Sequence, residues 1–167
     1  MPKEYGQTCP VARSLEFLGE RWTLLIVRDL LMGACKFQDF SASLRGVAPA
    51  VLSHRLKVLE EHGIVSRRLY SEHPPRAEYA LTDRGLELRP VVRALGIWGA
   101  RHLGSSWTFV HEACGANVEI AYYCPTCDET VASDQIKRRP APVQRRPARP
   151  KRQAGARRVA VKRQTNR

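Results

Sequence analysis

Apolar side chains recur at helical spacing from the start of the chain. Val11, Leu15, Leu18 and Trp22 follow the helical repeat, and Pro10 stands where a first helical turn tolerates proline, so a helix begins near Pro10. Gly19 interrupts it, and residues 22–31 predict a second, largely buried helix that stops at Gly33. Phe37, Phe40 and Leu44 mark a short third helix ending at Gly46. Pro49 then opens a fourth, whose Leu52, Leu56 and Leu59 form a core stripe closed by Gly63. Residues 64–70 and 76–81, rich in Val, Ile, Tyr and Leu, predict two strands. Between them Ser71-Glu72-His73-Pro74-Pro75 is expected to stay out of the ladder, as a polar, proline-stiffened hairpin tip. Thr82 caps a last long helix to about Leu103, in which Pro90 is either a kink or the true start. Its Leu88, Val91, Val92, Leu95 and Trp98 make an apolar face wider than a small domain needs, and the surplus predicts a partner surface.

Two short helices across a tight Gly-containing turn, followed by a two-stranded hairpin, are the order of a winged helix-turn-helix, so the expected fold class is α+β, mainly helical. With its leucines inward, the fourth helix presents Ala50, Ser53, His54 and Lys57, with Arg55 beside them. Pro49 at its start, with Lys36 and Gln38 at the third helix, complete the set expected to face DNA on the helical side. Arg67, Arg68, His73 and Arg76 cluster on the hairpin and suit the sugar-phosphate backbone or minor groove. A solvated polar helix face is the plainer explanation of each residue alone. Their position within a helix-turn-helix beside a wing favours contact with double-stranded DNA.

Charge divides the chain. It carries 28 Lys and Arg against 16 Asp and Glu, a net +12. Residues 137–167 hold 13 of the basic side chains and no acid, which leaves 15 basic and 16 acidic residues in the rest. Residues 1–136 therefore form a balanced globular part, while 137–167, poor in large apolar side chains, are expected to be a disordered tail. Such a tail binds phosphates through counterion release without reading bases. The expected organisation is 9–107 for DNA binding and dimerisation, 108–136 as a zinc-ribbon-like extension, and 137–167 as tail. The first ten residues lack the apolar stretch of a secretory signal, and the apolar run at 22–27 is too short to span a bilayer. A soluble, cytoplasmic, nucleoid-associated protein with no membrane partner is expected.

The five cysteines argue for thiol or metal chemistry over a disulfide framework. His111 and Cys114, then Cys124 and Cys127, form two pairs with two-residue spacing, able to place one imidazole nitrogen and three thiolates around one structural Zn2+. The alternatives are a small hairpin with unmetallated thiols, or a redox Cys124/Cys127 pair. No long amphipathic helix follows that pair, which disfavours a thioredoxin-like enzyme. Cys35 reads as core or turn filler. Cys9 precedes Pro10 at the positive end of the first helix, with Arg13 one turn on, and both influences favour the reactive thiolate.

Four spaced motifs, Cys9-Pro10-Val11, Gly19-Glu20-Arg21-Trp22-Thr23-Leu24-Leu25-Ile26, Leu52-Ser53-His54-Arg55-Leu56 and Tyr79-Ala80-Leu81-Thr82, resemble those of HxlR-type regulators over about residues 9–107. The resemblance implies a homodimer built from the first and last helices, with paired recognition helices on a two-fold-related operator. It also implies redox or electrophile sensing at Cys9, since several members sense through the cysteine at this position. This chain departs from the family in having Ala48 and Ala50 where a serine cap and a longer polar side chain are usual, so its operator preference is expected to differ. The expected function is sequence-specific transcription regulation, with the inducer left open and no enzymatic activity. The rivals are a sequence-independent nucleic-acid binder driven by the tail and a thiol redox enzyme using Cys124 and Cys127.

Overall fold

Proline opens three of the helices, because the missing N–H falls where helices have no internal acceptor to satisfy. In the computed structural model, which describes residues 4–105 and 107–139, these are α1 (Pro10–Leu18), α4 (Pro49–Glu61) and α6 (Arg89–His102). Between α1 and α4 lie α2 (Thr23–Leu31) and α3 (Phe37–Ser43). The hairpin follows as β1 (Val65–Glu72) and β2 (Pro75–Leu81), then the single turn α5 (Asp83–Leu86) before α6. The two compact units are 1–120 and 121–167, where the sequence had suggested boundaries at 107/108 and 136/137. The second unit contains β3 (Tyr122–Cys124), β4 (Glu129–Val131) and a 3-10 turn, Ser133–Gln135. Beyond residue 139 the expected disordered tail lies outside the described residues.

The core of the first unit gathers Ile26 and Val27 of α2, Phe40 of α3 with Leu44 at its C-terminal cap, Leu52, Leu56 and Leu59 of α4, and Ile64 and Val65 at the start of the wing. Full burial of each such side chain is worth about 1.5–3 kcal/mol, so the helix-turn-helix and the root of the wing are one packed body. Trp22, expected as the first residue of α2, instead caps it from the left-handed region at φ 78°. Its ring packs against the core with the Arg21 guanidinium 4.7 Å from its centroid.

Two expectations about the wing and the last helix are corrected. The hairpin ladder runs nearly to the tip, pairing Ser71 with Arg76 and Glu72 with Pro75, with the register shifting at Tyr70. Pro75 is tolerated because it is the first residue of β2 in a two-stranded ribbon, where a missing donor breaks no central ladder. The last helix is two elements. The Thr82 hydroxyl accepts from Gly85 N–H at 3.1 Å, capping the short α5, and α6 begins afresh at Arg89 with Pro90 in its first turn. Of the two roles weighed for Pro90, it takes that of a helix start.

Leu88 and Val92 pack on the core, and α6 lies against α2. Farther along, a Cβ added at Gly96 would come within 2.5 Å of the Phe109 ring, so the lack of a side chain at Gly96 admits the segment after α6. That segment turns back on itself: Val118 N–H donates to the Phe109 carbonyl at 2.9 Å and His111 N–H to that of Ala116 at 2.8 Å. In the second unit, β3 and β4 pair antiparallel, with Cys124 opposite Glu129.

Candidate nucleic-acid interface

The face of α4 opposite its buried leucines presents Ala50, Ser53, His54 and Lys57, all exposed, with Pro49 exposed at its N-terminal end. Ala48 takes the N-cap position and offers no side-chain hydrogen bond, as its chemistry requires. Gln38 is exposed on α3. Lys36 is half-buried, with Nζ 5.6 Å from the centroid of the Tyr70 ring, which ties it to the wing. Lys57 sits 3.9 Å from Glu61 across one exposed helical turn, a weak pair that does not restrain its ammonium.

Arg55 is the exception among the residues expected on this face. Its guanidinium donates to Glu20 at 2.7 Å, and its side chain is only 17% exposed. It therefore fastens α4 to the turn between α1 and α2 and is not offered to a ligand. The periodicity gave Arg55 an intermediate angle on the helix wheel, and only the position of Glu20 decided which way it turned. Arg45, exposed in the turn between α3 and α4, was not singled out from the sequence; an arginine in the helix-turn-helix turn was the available signal.

On the wing, Arg67, His73 and Arg76 are exposed, while Arg68 pairs with Glu78 at 2.9 Å. The connection between α2 and α3 touches the edge of β2 through a single isolated bridge. The Cys35 carbonyl accepts from Tyr79 N–H at 2.7 Å and Lys36 bridges to Glu78. Cys35, expected as filler, thus joins the α2–α3 connection to β2 through its backbone. The Asp39 carboxylate braces the same connection, accepting from Lys36 N–H at 2.8 Å and Cys35 N–H at 3.1 Å. These two donors, that of Lys36 foremost, hold the Asp39 carboxyl below its ordinary range.

Residues 17–106 match the model of the HxlR-like helix-turn-helix family. The chain belongs to the HxlR-like family. Among individual relatives, an uncharacterized HTH-type transcriptional regulator of Mycobacterium bovis is 35% identical over 136 residues, covering 79% of this chain and 85% of its own length. A putative transcription factor of Pseudomonas aeruginosa is similar in structure at TM-score 0.63 and 37% identity, over 83% of this chain and 96% of that one. The redox regulator HypR in its oxidized form is similar at TM-score 0.52 and 32% identity, over 56% of this chain and 97% of its own. The likeness to the Pseudomonas factor extends past the HxlR-like match, whereas the likeness to HypR is of about the length of that match.

The remaining expected residues lie outside the DNA-facing group. Cys9 caps α1, with its carbonyl accepting from Arg13 N–H at 3.1 Å. His111 Nδ1 lies 3.2 Å from Cys114 Sγ in the first unit. In the second unit the Cys124 sulfur accepts from the N–H groups of Cys127 and Thr126 and from the Cys127 thiol, which together lower its pKa. No three His, Cys, Asp or Glu side chains among the described residues stand together as a metal-holding group. A cleft of about 290 Å³ between α2, β2 and α6 is lined by Leu30, Leu31, Cys35, Tyr79, Leu86 and Arg89. No helix among the described residues is long and apolar enough to cross a membrane.

Proposed function

We propose that this chain is a transcription regulator that binds an operator as a homodimer, with α4 in the major groove and the β1–β2 wing along the adjoining backbone. The observation that carries this is the division of α4. Its leucines are sealed in the core, while Ser53, His54 and Lys57 face outward beside a wing that exposes Arg67, His73 and Arg76. A helix fits the major groove, where hydroxyl, imidazole and ammonium groups meet base edges and phosphates, and Ala50 suits a thymine methyl. The names of the relatives support the regulatory role. The exposed apolar residues of α1 and α6 support pairing of two copies, and such a protein acts on the nucleoid in the cytoplasm.

Selection from a random-sequence duplex pool with the full chain, followed by fluorescence anisotropy, tests it. The enriched sequence should be two-fold related and bound about 10³-fold more tightly than a scrambled duplex. His54→Ala should lower that ratio, each lost base contact being worth about 1–3 kcal/mol of discrimination. Arg76→Ala should weaken both duplexes alike and reduce the salt slope by about one. Equal affinity for every duplex would instead support the sequence-independent binder.

A second element of the reading concerns the signal. Cys9 caps α1, whose Val11 and Leu15 are exposed, and the similarity to HypR favours oxidation there as the input. The Cys9 thiolate attacks a peroxide, takes one oxygen to become sulfenic acid and releases hydroxide. Peroxide should release DNA from the unaltered protein and leave Cys9→Ser bound; release of both would remove Cys9 from the signal.

A further inference from the structure

The turn between β3 and β4 is closed by its own residues. Pro125-Thr126-Cys127-Asp128 separates the paired Cys124 and Glu129, and Asp128 N–H donates to the Cys124 carbonyl at 2.9 Å. Asp128 ends the turn from the left-handed region at φ 56°, which aspartate adopts more readily than most side chains. The Tyr123 hydroxyl donates to the Asp128 carboxylate, which fastens that residue to β3 and raises the tyrosine's pKa. A turn closed in this way brings residues three apart back to one side, and here those residues are Cys124 and Cys127. The Cys127 thiol and the N–H groups of Cys127 and Thr126 are directed at the Cys124 sulfur. All of these groups lie in the second compact unit.

Core packing does not account for Cys127, which is exposed, whereas a cysteine used as a small hydrophobe is buried. Closing the turn needs a residue at the left-handed position and no thiol. A disulfide needs Cα atoms about 4.4–6.8 Å apart, and residues three apart across a tight turn stand within about 7 Å. We propose that Cys124 and Cys127 form a reversible dithiol–disulfide site whose oxidant is a small-molecule disulfide. The donors gathered on the Cys124 sulfur steady negative charge there and mark it as the attacking group. Having lost its proton to solvent, it attacks one sulfur of the small disulfide, forming a mixed disulfide and releasing one small thiolate. The Cys127 thiol, already held against Cys124, then loses its proton and attacks the Cys124 sulfur, so that the Cys124–Cys127 bond forms and the second small thiolate leaves. The chain gives up two electrons and two protons, and the small disulfide gains them as two thiols. The His111–Cys114 turn has one thiol and cannot complete the second step. The inference is independent of whether α4 binds DNA and of whether Cys9 carries a signal.

The test mixes the reduced full chain, kept metal-free with a chelator, with bis(2-hydroxyethyl) disulfide at neutral pH, quenches with an alkylating agent over time and maps the peptides by mass spectrometry. Two alkylatable thiols should be lost as the Cys124–Cys127 link forms, and dithiothreitol should restore both. Cys127→Ser should stop at one reagent adduct on Cys124, whereas Cys124→Ser should leave Cys127 modified about tenfold more slowly. Cys9→Ser, Cys35→Ser and Cys114→Ser should leave the link unchanged. Unfolding the unaltered chain in urea should slow the link about tenfold, which separates a built site from mere nearness in sequence and requires no variant to fold. Equal rates in the folded and unfolded chain, adducts on Cys127 as fast as on Cys124, or a link from either cysteine to Cys114 would overturn the proposal.

Discussion

Helices α4 and α6 are almost equal in length, 13 and 14 residues, and both carry an apolar stripe, yet the chain treats them oppositely. On α4, Leu52, Leu56 and Leu59 are at most 1% exposed and what remains outside is largely polar. No residue of α6 is fully buried, and Val91, Leu95 and Trp98 are 44%, 52% and 54% exposed. A helix that has spent its apolar face inside the chain can meet only a polar partner, and nucleic acid is one. A helix with its apolar face still in water is suited to another apolar surface. In the reading proposed above, the difference divides two jobs between the helices, contact with the operator for α4 and contact with a second copy for α6.

The largest expected effect tests the sealed side of that contrast. Leu56→Ala should cost about 2–5 kcal/mol, read as a lower midpoint in urea unfolding, because the cavity forms in a close-packed core. Leu95→Asp should leave the far-ultraviolet dichroism intact and weaken self-association about 100-fold or more in sedimentation velocity, since an isologous interface meets the change twice. If Leu95→Asp unfolded the chain while Leu56→Ala did not, the two helices would have been assigned the wrong way round. Arg55→Ala sharpens the α4 side. Removing the half-buried pair with Glu20 should cost about 1–3 kcal/mol in the same urea experiment, between the values for exposed and buried ion pairs. A loss of DNA affinity at unchanged stability would instead return Arg55 to the DNA face.

The smallest effect is pH-dependent. The Asp39 pKa is lowered from 3.8 by the N–H groups of Lys36 and Cys35, so its contribution is fully present above the unfolded value and is lost as pH falls through the lower folded one. Asp39→Ala should therefore lower the melting temperature at neutral pH, and the gap to the unaltered protein should close in strong acid. A gap that widened toward acid would mean that the N–H donors are not what binds the carboxylate.

Much of the fold was legible in the residues. Leucines at 52, 56 and 59 named the inward face of α4, and therefore which side chains it shows to solvent, because a helix has one period and the core accepts one face. Pro10 and Pro49 named helix starts because proline is compatible with so few positions. The hairpin tip was less legible: Pro75 argued against pairing, but a two-stranded ribbon has open edges, and pairing there costs no neighbouring strand its donor. The division between α5 and α6 rests on the Thr82 cap and on Leu88 turning to the core, neither of which periodicity alone records. Which of the expected DNA-facing residues are exposed was legible for similar reasons. Ser53, His54 and Lys57 stand on the face that the leucines dictate, whereas Arg55 turned to Glu20, which stood within reach.

The sequence by itself determined the local states of this chain: where α1 and α4 start, which face of each is apolar, and where the hairpin lies. These follow from short-range sterics and from side-chain periodicity, which need no knowledge of distant residues. Only the tertiary structure decided which apolar faces are consumed within the chain and which stay exposed, and which charged groups are engaged with one another. Those outcomes depend on residues far apart in sequence, as Glu20 and Arg55 are, and burial and pairing arise only once the elements pack.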